Sequence, residues 1–553
     1  MKKKFLLIFI SIGLIIASCS NPSATIVLKN SSTGYNPKAG DIILDPAETF
    51  TNQVISSGKT YIIRDSFDLQ NETVNIASGS TLYFLGGSIS NGTINFNNTK
   101  IDGYAKFTNC SYSGSLSNDT VEFEWFDFSL KSKEGQLYSI AYLTTKLPYS
   151  DSTKIQQIID CCKSGAKIIV DKQYVISAPL TINKKISFEG LDNNEGIYAT
   201  LLNNFQYGFA TNGYISGFVI ENGGELSMTG ITVLRDINFY IGQFTWEKEY
   251  SSGAILSKPL EMCGLDVQQG GKINTIINSS FTGFTYGIRS IGGTIGLIRN
   301  SYCSDCRYGL WAKDTNGFEC RGCRFNTNKL NFNFFKYDAD YQSTKAKDAG
   351  KWSPILEKDC EKMYKVGGGV YLENCQNVQI NKCRFEFNFI HAMVIGSGKD
   401  ISFEGCIYDT ATISQVLIHN EGGAVASPAM NNITFTNSTF ARGARCDVNG
   451  EQSRKGYAIL YLTDKGNHGS KINFTNNIIS DNMEVDKSIN VQYEKYVFCI
   501  NSTSTTGTNL IIRNNSFTSA EAEYMYHSID SSSGTYNIEE KGNDYGSVPL
   551  LSD

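Results

Sequence analysis

The chain has 553 residues, which is enough for several ordinary domains or for one long repetitive domain. Its formal net charge of -5 excludes bulk electrostatic attraction to nucleic acid or to an anionic membrane surface, so we expect no nucleic-acid partner. Only 9 prolines stand against 51 glycines, 32 phenylalanines and 30 tyrosines, a composition that favours short strands joined by tight turns and indicates an all-β protein.

Residues 1–18 are predicted to form a signal peptide. Three lysines precede an apolar run from Phe5 to Ile16, which is too short to span a membrane comfortably, and small residues then lead to Cys19. The letters IASC, which end at Cys19, resemble the lipobox of bacterial lipoproteins, in which the cysteine is lipidated and becomes the first mature residue. The alternative is an ordinary signal peptide that is cleaved without lipidation.

This resemblance implies a protein of the cell envelope. A lipidated Cys19 with more than one acyl chain would hold the protein stably on a membrane. Ser20 after the cysteine points, by resemblance, to the outer membrane. The letters SNPSA lack the acidic residues of an export tag, so the side of the outer membrane that the protein faces stays open. Residues 19–40 are expected to act as a polar tether.

The next part of the chain predicts a small β module and then a helix. Within residues 41–128 very short strands alternate with glycines, and Gly86, Gly87 and Gly92 are expected at turns that need a positive φ. Residues 129–165 are expected to form a connector and one helix, which caps the N-terminal end of the following domain. One apolar face of this helix is formed by Ile155, Ile158, Ile159 and Cys162.

A short phrase returns through residues 166–546. It reads apolar, any residue, often Asn or Gly, then a small polar residue or Cys, any residue, and an aromatic or apolar residue. The instances include IINSSF (276–281), IRNSYC (298–303), CRGCRF (320–325), INKCRF (380–385), FEGCIY (403–408), FTNSTF (435–440), FTNNII (474–479) and IRNNSF (512–517). The fourth position is occupied by Ser279, Ser301, Cys323, Cys383, Cys406, Ser438, Asn477 and Asn515. The base period is about 22 residues, with longer intervals where a loop is inserted.

Short alternating strands with this period, and no helices to cross over between them, predict a solenoid in which each coil lies beside the previous one. Residues one period apart then stack about 4.8 Å apart. We expect the small polar position to form a ladder at a turn, and the aromatic and aliphatic positions to form an internal stack. Three loop insertions are predicted, near residues 240–270, 330–368 and 442–470.

Two Cys-x-x-Cys pairs begin at Cys303 and Cys320, with a spacing that a tetrahedral zinc site would use. In the repeat, however, Cys323 falls at the ladder position and Cys320 at the leading apolar position. Cys303 falls where Phe281 lies in the preceding coil. Since each thiol has a non-cysteine counterpart in a neighbouring coil, we interpret these cysteines as small buried hydrophobes. Disulfides between stacked coils and a zinc site are the alternatives.

Over residues 165–544 this periodicity resembles that of the right-handed parallel β-helix proteins of the pectin-lyase-like superfamily. Residues 124–182 are similar to the opening of pectate-lyase-like domains in tail-spike-type and polygalacturonase-related proteins, and residues 58–103 to an N-terminal segment of many Bacteroidetes β-helix proteins. The resemblance implies an all-β fold, a right-handed, single-stranded parallel β-helix with a short N-terminal β-helical module and one capping helix. It also implies a polysaccharide as the partner.

Two functions are compatible with this resemblance. The first is an envelope-anchored glycoside hydrolase or polysaccharide lyase, and the second is a non-catalytic surface protein for glycan binding, adhesion or structure. Two carboxylates, or carboxylates with Arg or Lys, grouped on adjacent coils would favour the enzyme. A wall of Asn, Ser and Thr with scattered aromatics would favour the non-catalytic protein. No cofactor is expected, except Ca²⁺ if the protein is a lyase.

The insertions offer candidate substrate-binding residues, because aromatic rings together with carboxylates suit sugar rings. These residues are Trp246, Glu247, Tyr337 and Trp352. Arg384 is a further candidate, since it shares a register with Arg324 and both could belong to a basic stripe that meets an acidic glycan. Ordinary solvated loops and an outward-facing solvated ladder are the alternatives.

Candidate catalytic residues are Asp338, Asp340 and His391. Asp338 and Asp340 lie two apart on an extended segment, which places them on one face about 6.5–7 Å apart, within the range that glycosidases use. His391 lies in IHAMVIGSG (390–398), which looks a little like the His-containing strand of polygalacturonases, although that family's other signatures are missing. No cluster of acids at one-coil spacing is evident on a strand, and a lone His at a coil corner is typically structural.

Overall fold

The computed structural model describes residues 35–128, 151–191, 207–211, 215–235, 262–328, 367–411, 414–420, 430–441, 458–464, 469–480, 496–502, 507–519, 524–528 and 536–546. The chain divides into two compact units, residues 1–41 and 42–553. In the first unit the carboxylate of Asp41 accepts a hydrogen bond from the hydroxyl of Tyr35 at 2.8 Å. It accepts another from the backbone N–H of Lys38 at 2.6 Å.

The second unit begins with a small parallel sheet around an aromatic core. In the described residues its strands are Ile42–Ile43, Thr60–Ile63, Ser66–Asp68, Thr73–Asn75, Thr81–Phe84, Ser88–Gly103 and Phe107–Leu116. Helix α1, Phe50–Gln53, packs beside them. The long strand Ser88–Gly103 pairs with strands on both sides of it in sequence, so Leu82 lies beside Ile101. The buried rings of Phe84 and Phe107 meet edge to face at 5.1 Å.

The glycines of this sheet serve two different purposes. Gly86 has a φ of 95°, as predicted for a turn. The same prediction is wrong for Gly87 and Gly92, which do not have a positive φ. A Cβ on Gly87 would lie 2.3 Å from the carbonyl oxygen of Asp65, and one on Gly92 would lie 2.6 Å from Cβ of Leu69. These two positions need glycine because neighbouring coils approach too closely for a side chain.

Helix α2, Ser152–Cys161, covers the start of the long solenoid, as the sequence predicts. Its buried face is formed by Ile155, Ile158, Ile159 and Cys161. Two glutamines fasten the helix on opposite sides. Oε1 of Gln157 accepts a hydrogen bond from the backbone N–H of Tyr112 in the small sheet at 3.1 Å. Oε1 of Gln156 accepts one from the backbone N–H of Thr181 in the first coil at 2.8 Å.

The rest of the unit winds through three parallel sheets, and each coil adds a strand to sheet A, then to sheet B, then to sheet C. The described strands of sheet A are Thr120–Glu122, Ala166–Val170, Lys185–Gly190, Glu225–Thr229, Lys272–Ile277, Thr294–Arg299, Asn316–Arg321, Gln376–Asn381, Lys399–Glu404, Asn431–Thr436, Lys471–Thr475, Thr508–Arg513 and Tyr536–Lys541. Those of sheet B are Gln173–Ile176, Gly208–Thr211, Thr232–Arg235, Ser280–Thr282, Tyr302–Ser304, Arg324–Asn326, Arg384–Glu386, Ile407–Asp409, Thr439–Ala441, Ile478–Ser480 and Ser516–Ser519. Those of sheet C are Leu180–Ile182, Phe218–Ile220, Cys263–Val267, Tyr286–Ile291, Tyr308–Lys313, Gly368–Glu373, Ile390–Ile395, Ser414–Asn420, Ala458–Asp464, Tyr496–Ser502 and Tyr524–Ser528. A 3-10 turn, Phe123–Trp125, follows the first strand of sheet A. The predicted parallel β-helix is confirmed.

The small polar position of the repeat forms the predicted ladder at the turn from sheet A to sheet B. The backbone N–H of Ser438 donates to Oδ1 of Asn477 at 3.0 Å, and that of Asn477 donates to Oδ1 of Asn515 at 2.9 Å. A serine forms the same kind of rung, since the hydroxyl of Ser301 accepts a hydrogen bond from the backbone N–H of Ser279 at 3.2 Å. The residue before each rung is left-handed, and it is Asn278, Asn300, Gly322, Lys382, Gly405, Asn437, Asn476 or Asn514.

The four cysteines of the two Cys-x-x-Cys pairs are free, buried thiols that occupy these columns. Cys303 pairs in register with Phe281 on one side and Phe325 on the other. Cys320 lies between aliphatic neighbours, and the thiol of Cys323 donates to the carbonyl oxygen of Ile298 at 3.3 Å, within the ladder. The interpretation of these residues as small members of buried columns is confirmed.

The interior of the solenoid contains a column of aromatic rings among its aliphatic side chains. Phe385, Tyr408 and Phe440 stack on successive coils with ring centroids 5.0 and 4.4 Å apart and planes within 2° of parallel. This is the internal stack that the spacing of the repeat predicts. Within the described ranges, no helix combines the length and the apolar character needed to cross a membrane.

Candidate functional site

The outer face of sheet B carries a cluster of charged side chains on successive coils. Its strands Arg324–Asn326, Arg384–Glu386 and Ile407–Asp409 pair residue by residue in parallel register. The middle residue of each strand is a buried aromatic ring. Because side chains alternate along a strand, the first and third residues point outward. The shared register of Arg324 and Arg384, predicted from the repeat, is confirmed.

Glu386 lies at the centre of this cluster. Its carboxylate accepts a hydrogen bond from Nε of Arg324 at 2.6 Å and another from Nε of Arg384. The Glu386 side chain is only 5% exposed, whereas the side chains of Arg324 and Arg384 are 46% and 50% exposed. A guanidinium has five N–H donors. The arginines can therefore hold Glu386 and still offer donors to an anionic group at the surface.

Tyr302 extends the cluster onto the preceding coil. The guanidinium of Arg324 lies over its ring, 5.8 Å from the ring centroid, at a distance where a cation is attracted to an aromatic face. The hydroxyl of Tyr302 accepts a hydrogen bond from Nδ2 of Asn326 at 3.0 Å. These two contacts fix the direction in which Arg324 reaches Glu386.

Asp409 places a second carboxyl group beside Glu386. The two residues are register partners on adjacent coils, so their backbones lie about 4.8 Å apart. Asp409 is 5% exposed, and its Oδ1 accepts a hydrogen bond from the hydroxyl of Thr410 at 2.9 Å. Two carboxyl groups with two arginines on adjacent coils are the arrangement that would favour an enzyme.

Backbone strain is concentrated in the column that follows these outward residues. Thr327, Phe387 and Thr410 have φ values of 54°, 53° and 57°, in the left-handed region that β-branched and bulky residues avoid. Among the described residues they are the aromatic and β-branched members of the left-handed set, which is otherwise mostly Asn, Asp and Gly. All three stand directly after a residue of the cluster or of its register. Such strain is typical of functional sites.

His391 lies inside the solenoid beneath this cluster, not on its surface. Its ring packs near Phe385 and Tyr408, with centroids 6.0 and 6.1 Å apart, and is 0% exposed. Nδ1 of His391 accepts a hydrogen bond from Nδ2 of Asn388 at 3.0 Å. Burial lowers the pKa of His391 to about 3, against a smaller opposing effect of Asp409. These surroundings favour the structural role, and the catalytic role of His391 stays a prediction.

The other predicted site residues lie outside the described residues. They are Cys19, Trp246, Glu247, Asp338, Asp340, Tyr337 and Trp352. The described flanks of the three predicted insertions nevertheless share one place in the fold. Each follows a strand of sheet B, ending at Arg235, Asn326 or Ala441, and precedes a strand of sheet C. The cluster around Glu386 lies at that same edge of sheet B.

Glu386 and Asp409 are not among the site residues predicted from the sequence, because the six-letter repeat phrase ends one position before each of them. The sequence reads CRFE at 383–386 and CIYD at 406–409, so both acids follow the closing aromatic ring by one position. The prediction that no cluster of acids stands at one-coil spacing on a strand thus overlooks this pair. Extending the phrase by one letter finds the pair.

The outer face of sheet C carries an aromatic cluster in which the three tyrosines are buried and Trp311 is partly exposed. The rings of Tyr286, Tyr308, Trp311 and Tyr371 lie with centroids 4.6–5.7 Å apart. The three tyrosines are at most 4% exposed. A sugar needs an accessible group to contact, so this cluster is a weaker candidate than sheet B, where the side chains of Arg324 and Arg384 are about half exposed.

The outer face of sheet A is a surface of amides and hydroxyls. Nδ2 of Asn377 donates to Oδ1 of Asn316 at 2.7 Å across neighbouring coils. Further along the sheet, Nδ2 of Asn473 donates to Oδ1 of Asn432 at 3.3 Å. These groups offer both donors and acceptors at the spacing of the coils.

Within the stretches of chain given above, no group of three or more His, Cys, Asp or Glu side chains could hold a metal ion. The two Cys-x-x-Cys pairs lie within the residues to which that statement applies. The cluster on sheet B supplies two carboxyl groups, and its neighbouring charges are cations.

A family model described as a right-handed beta helix region matches residues 260–440. Together with the three parallel sheets, this match confirms the fold class that the repeat predicts. It covers the coils that carry Arg324, Glu386 and Asp409. The chain matches no curated protein sequence.

Solved structures of similar fold include three carbohydrate-active enzymes. The catalytic unit of a GH87 alpha-1,3-glucanase from Streptomyces thermodiastaticus is 10% identical, with a TM-score of 0.38, over 76% of this chain and 71% of that chain. An endo-xylogalacturonan hydrolase from Aspergillus tubingensis is 12% identical, with a TM-score of 0.36, over 74% and 94%. An alginate lyase from a Paenibacillus species is 10% identical, with a TM-score of 0.29, over 73% and 96%. At TM-scores this low, these resemblances do not bear on function, which has to rest on the chain's own residues.

Proposed function

We propose that the protein binds an acidic polysaccharide on the outer face of sheet B and cleaves a glycosidic bond at Glu386 and Asp409. The observation that carries this proposal is the register of these two residues, side by side on adjacent coils. Arg324 and Arg384 hold one of the two carboxyl groups and remain about half exposed.

The chemistry of glycoside hydrolysis suits this pair. Such enzymes use two carboxyl groups about 5 to 9.5 Å apart, one to protonate the leaving oxygen and the other as a nucleophile or base. The backbone spacing of adjacent coils, about 4.8 Å, lies just below that range and is closest to the carboxyl separation of the retaining class. Guanidinium groups bind carboxylates through two parallel hydrogen bonds. Arg324 and Arg384 would thus hold a uronic acid next to the bond that is cut.

A non-catalytic glycan-binding protein is the second candidate, and sheet A favours it. Its outer face presents amide pairs such as Asn377 with Asn316, repeated from coil to coil. Groups that donate and accept can bind sugar hydroxyls without cleaving a bond. In that case Glu386 would serve only to orient Arg324 and Arg384 toward an acidic sugar.

We also propose that the protein is anchored to the outer membrane through a lipidated Cys19. The support is the sequence itself, with three lysines, a short apolar run and the letters IASC. Expression in a bacterium fed with an alkyne-tagged fatty acid should label the wild-type protein in the membrane fraction. The Cys19→Ala variant should lose the label, and equal labelling of both would contradict the anchor.

The experiment on function incubates the purified protein with a panel of uronic-acid and neutral polysaccharides. Release of reducing ends and absorbance of unsaturated uronates are followed in parallel, since the first reports any cleavage and the second only a lyase. We expect Glu386→Gln and Asp409→Asn to lower the rate at least about 100-fold. Glu404→Gln, which changes an exposed acid on sheet A, is the matched control.

The outcomes separate the two candidates. Cleavage that depends on both acids supports the enzyme. Retention on an immobilised uronate without cleavage supports the binding protein. Neither cleavage nor retention for any glycan in the panel rejects both.

A further inference from the structure

Phe387 stands immediately after Glu386 and is an aromatic ring on the surface of the charged cluster. We propose that Phe387 is a sugar-stacking platform, which receives the apolar face of a pyranose ring while Arg384 or Arg324 holds an anionic group of the same chain. This inference rests on the proposed function and adds a residue that determines which sugars fit.

The placement of the ring is the first support. Phe387 is 45% exposed, whereas the large side chains of the solenoid are mostly buried. Its neighbours in the same column are Thr327 on the preceding coil and Thr410 on the next. Because both are small, the phenyl ring is flanked by short side chains and can present a face to a ligand.

The backbone at Phe387 is the second support. Its φ of 53° lies in the left-handed region, which disfavours every residue with a Cβ and most of all bulky ones. Two coils before Thr327, the same column is occupied by Gly283, which adopts this conformation without that cost. A glycine would therefore satisfy the fold here, and the ring has to be explained by something other than folding.

Inter-coil hydrogen bonds keep the strained conformation in place. The backbone N–H of Phe387 donates to the carbonyl oxygen of Asp409 at 3.2 Å. The backbone N–H of Thr327 donates in the same way to the carbonyl oxygen of Glu386 at 2.9 Å. The turn is thus fixed on both sides by the pairing of the coils. The backbone that carries the phenyl ring therefore does not need to be ordered when a sugar binds.

Three kinds of group at this place define the chemistry of the ligand: the aromatic ring of Phe387, the guanidinium groups of the two arginines and the carboxyl groups of the acidic pair. A pyranose has one face lined by C–H groups, which packs on an aromatic ring, and hydroxyls at its rim. A uronic acid adds a carboxylate, which Arg384 can bind in a bidentate manner. The platform therefore predicts a preference for uronic acids with an open C–H face over sugars in which axial hydroxyls cover both faces.

The test uses the full-length protein in detergent and three substitutions at one position. Phe387→Ala removes the ring and keeps a Cβ, Phe387→Gly removes both, and Phe387→Trp enlarges the ring. Affinity is measured by calorimetry with defined uronic-acid oligosaccharides, and Tm is measured without ligand. All three variants share the Asp409→Asn substitution, as does the reference protein, so that cleavage is suppressed during titration while Glu386 still holds Arg324 and Arg384.

We expect Phe387→Ala and Phe387→Gly to weaken binding about tenfold, and Phe387→Trp to bind as tightly as the reference or more tightly. In the absence of ligand, Phe387→Gly should have a Tm about 1–2 °C above that of Phe387→Ala, since only glycine relieves the left-handed backbone. This combination, a more stable variant that binds less well, is what a ring kept for a ligand predicts.

The failures are distinguishable. If the reference protein binds an oligosaccharide and Phe387→Ala binds it equally well, the platform is refuted while the proposed function stands. If Phe387→Gly is no more stable than Phe387→Ala, the argument from strain is refuted. If the reference protein binds none of the oligosaccharides, the proposed function fails and the platform with it.

Discussion

Replacing Asn477 by alanine tests the physical basis of the solenoid most directly. The Asn477 side chain accepts a hydrogen bond from the backbone N–H of Ser438 at 3.0 Å and donates to the carbonyl oxygen of Phe435 at 3.0 Å. It also donates to Oδ1 of Asn515 at 3.1 Å. Alanine removes all three bonds and leaves the buried N–H of Ser438 without that acceptor.

The expected magnitude follows from these bonds. A buried hydrogen bond contributes about 1 kcal/mol, and a backbone group left without a partner costs about 1–3 kcal/mol. We therefore expect Asn477→Ala to lower the free energy of unfolding by about 3–5 kcal/mol. Asn477→Ser should cost less, about 1–2 kcal/mol, because serine already fills this column at Ser301, where its hydroxyl accepts from the backbone N–H of Ser279.

Urea unfolding followed by intrinsic fluorescence gives the order of the two variants. Hydrogen exchange shows where the loss occurs, since neighbouring coils carry most of the interactions of any one coil. Protection should fall first at Ser438 and in the strands Asn431–Thr436 and Lys471–Thr475. Equal stability of Asn477→Ala and Asn477→Ser, or loss spread evenly over all coils, would refute the reasoning.

Three further predictions concern the interior and the charged cluster. The free energy of unfolding should fall as the pH is lowered from about 6.5 toward 3, by up to about 1.4 kcal/mol per pH unit, because His391 is protonated in the unfolded chain but stays neutral when buried in the folded protein. His391→Gln should flatten this part of a plot of urea midpoint against pH. An unchanged slope would contradict the prediction. Cys323→Ser should change the free energy of unfolding, measured by urea titration, by less than about 1 kcal/mol, because serine occupies the same column at Ser301. A larger loss would show that the thiol has a role of its own. Arg384→Ala should weaken retention on an immobilised uronate about tenfold, with a smaller dependence on salt than the wild type, and should leave binding of neutral glycans unchanged.

The columns of the solenoid could be predicted because the repeat sets two independent requirements on the positions of its side chains. The apolar letters must face inward, and the small polar letter must stand where the chain turns. Both requirements hold at every coil from Ser279 to Asn515, whatever the length of the loops between them. For the same reason Cys303 and Cys320 could be placed in the core although their spacing suggests a metal site.

The charged cluster could not be predicted in the same way. The position of Glu386 recurs in every coil, but its residue type does not, since the same position holds Thr282 and Ala441 in other coils. Each coil can change this outward residue without disturbing the core. The left-handed backbone at Phe387 is also invisible in the sequence, since the residue type predicts the opposite conformation. Gly87 and Gly92 show the same limit, because a close approach of two coils depends on residues about 20 positions away.

The parallel register of sheet B has a consequence for how this molecule could change in evolution. Arg384 lies beside Ile407, and Glu386 lies beside Asp409, with every strand joined only to the one before and the one after. A duplication or deletion that spans one full turn would leave all remaining pairs intact, whereas a change of one residue within a strand would turn core side chains outward. The surface of sheet B along which a polymer could lie can thus lengthen or shorten only by whole coils. Glu386 and Asp409 would remain side by side, while their distance from either end of the solenoid would change.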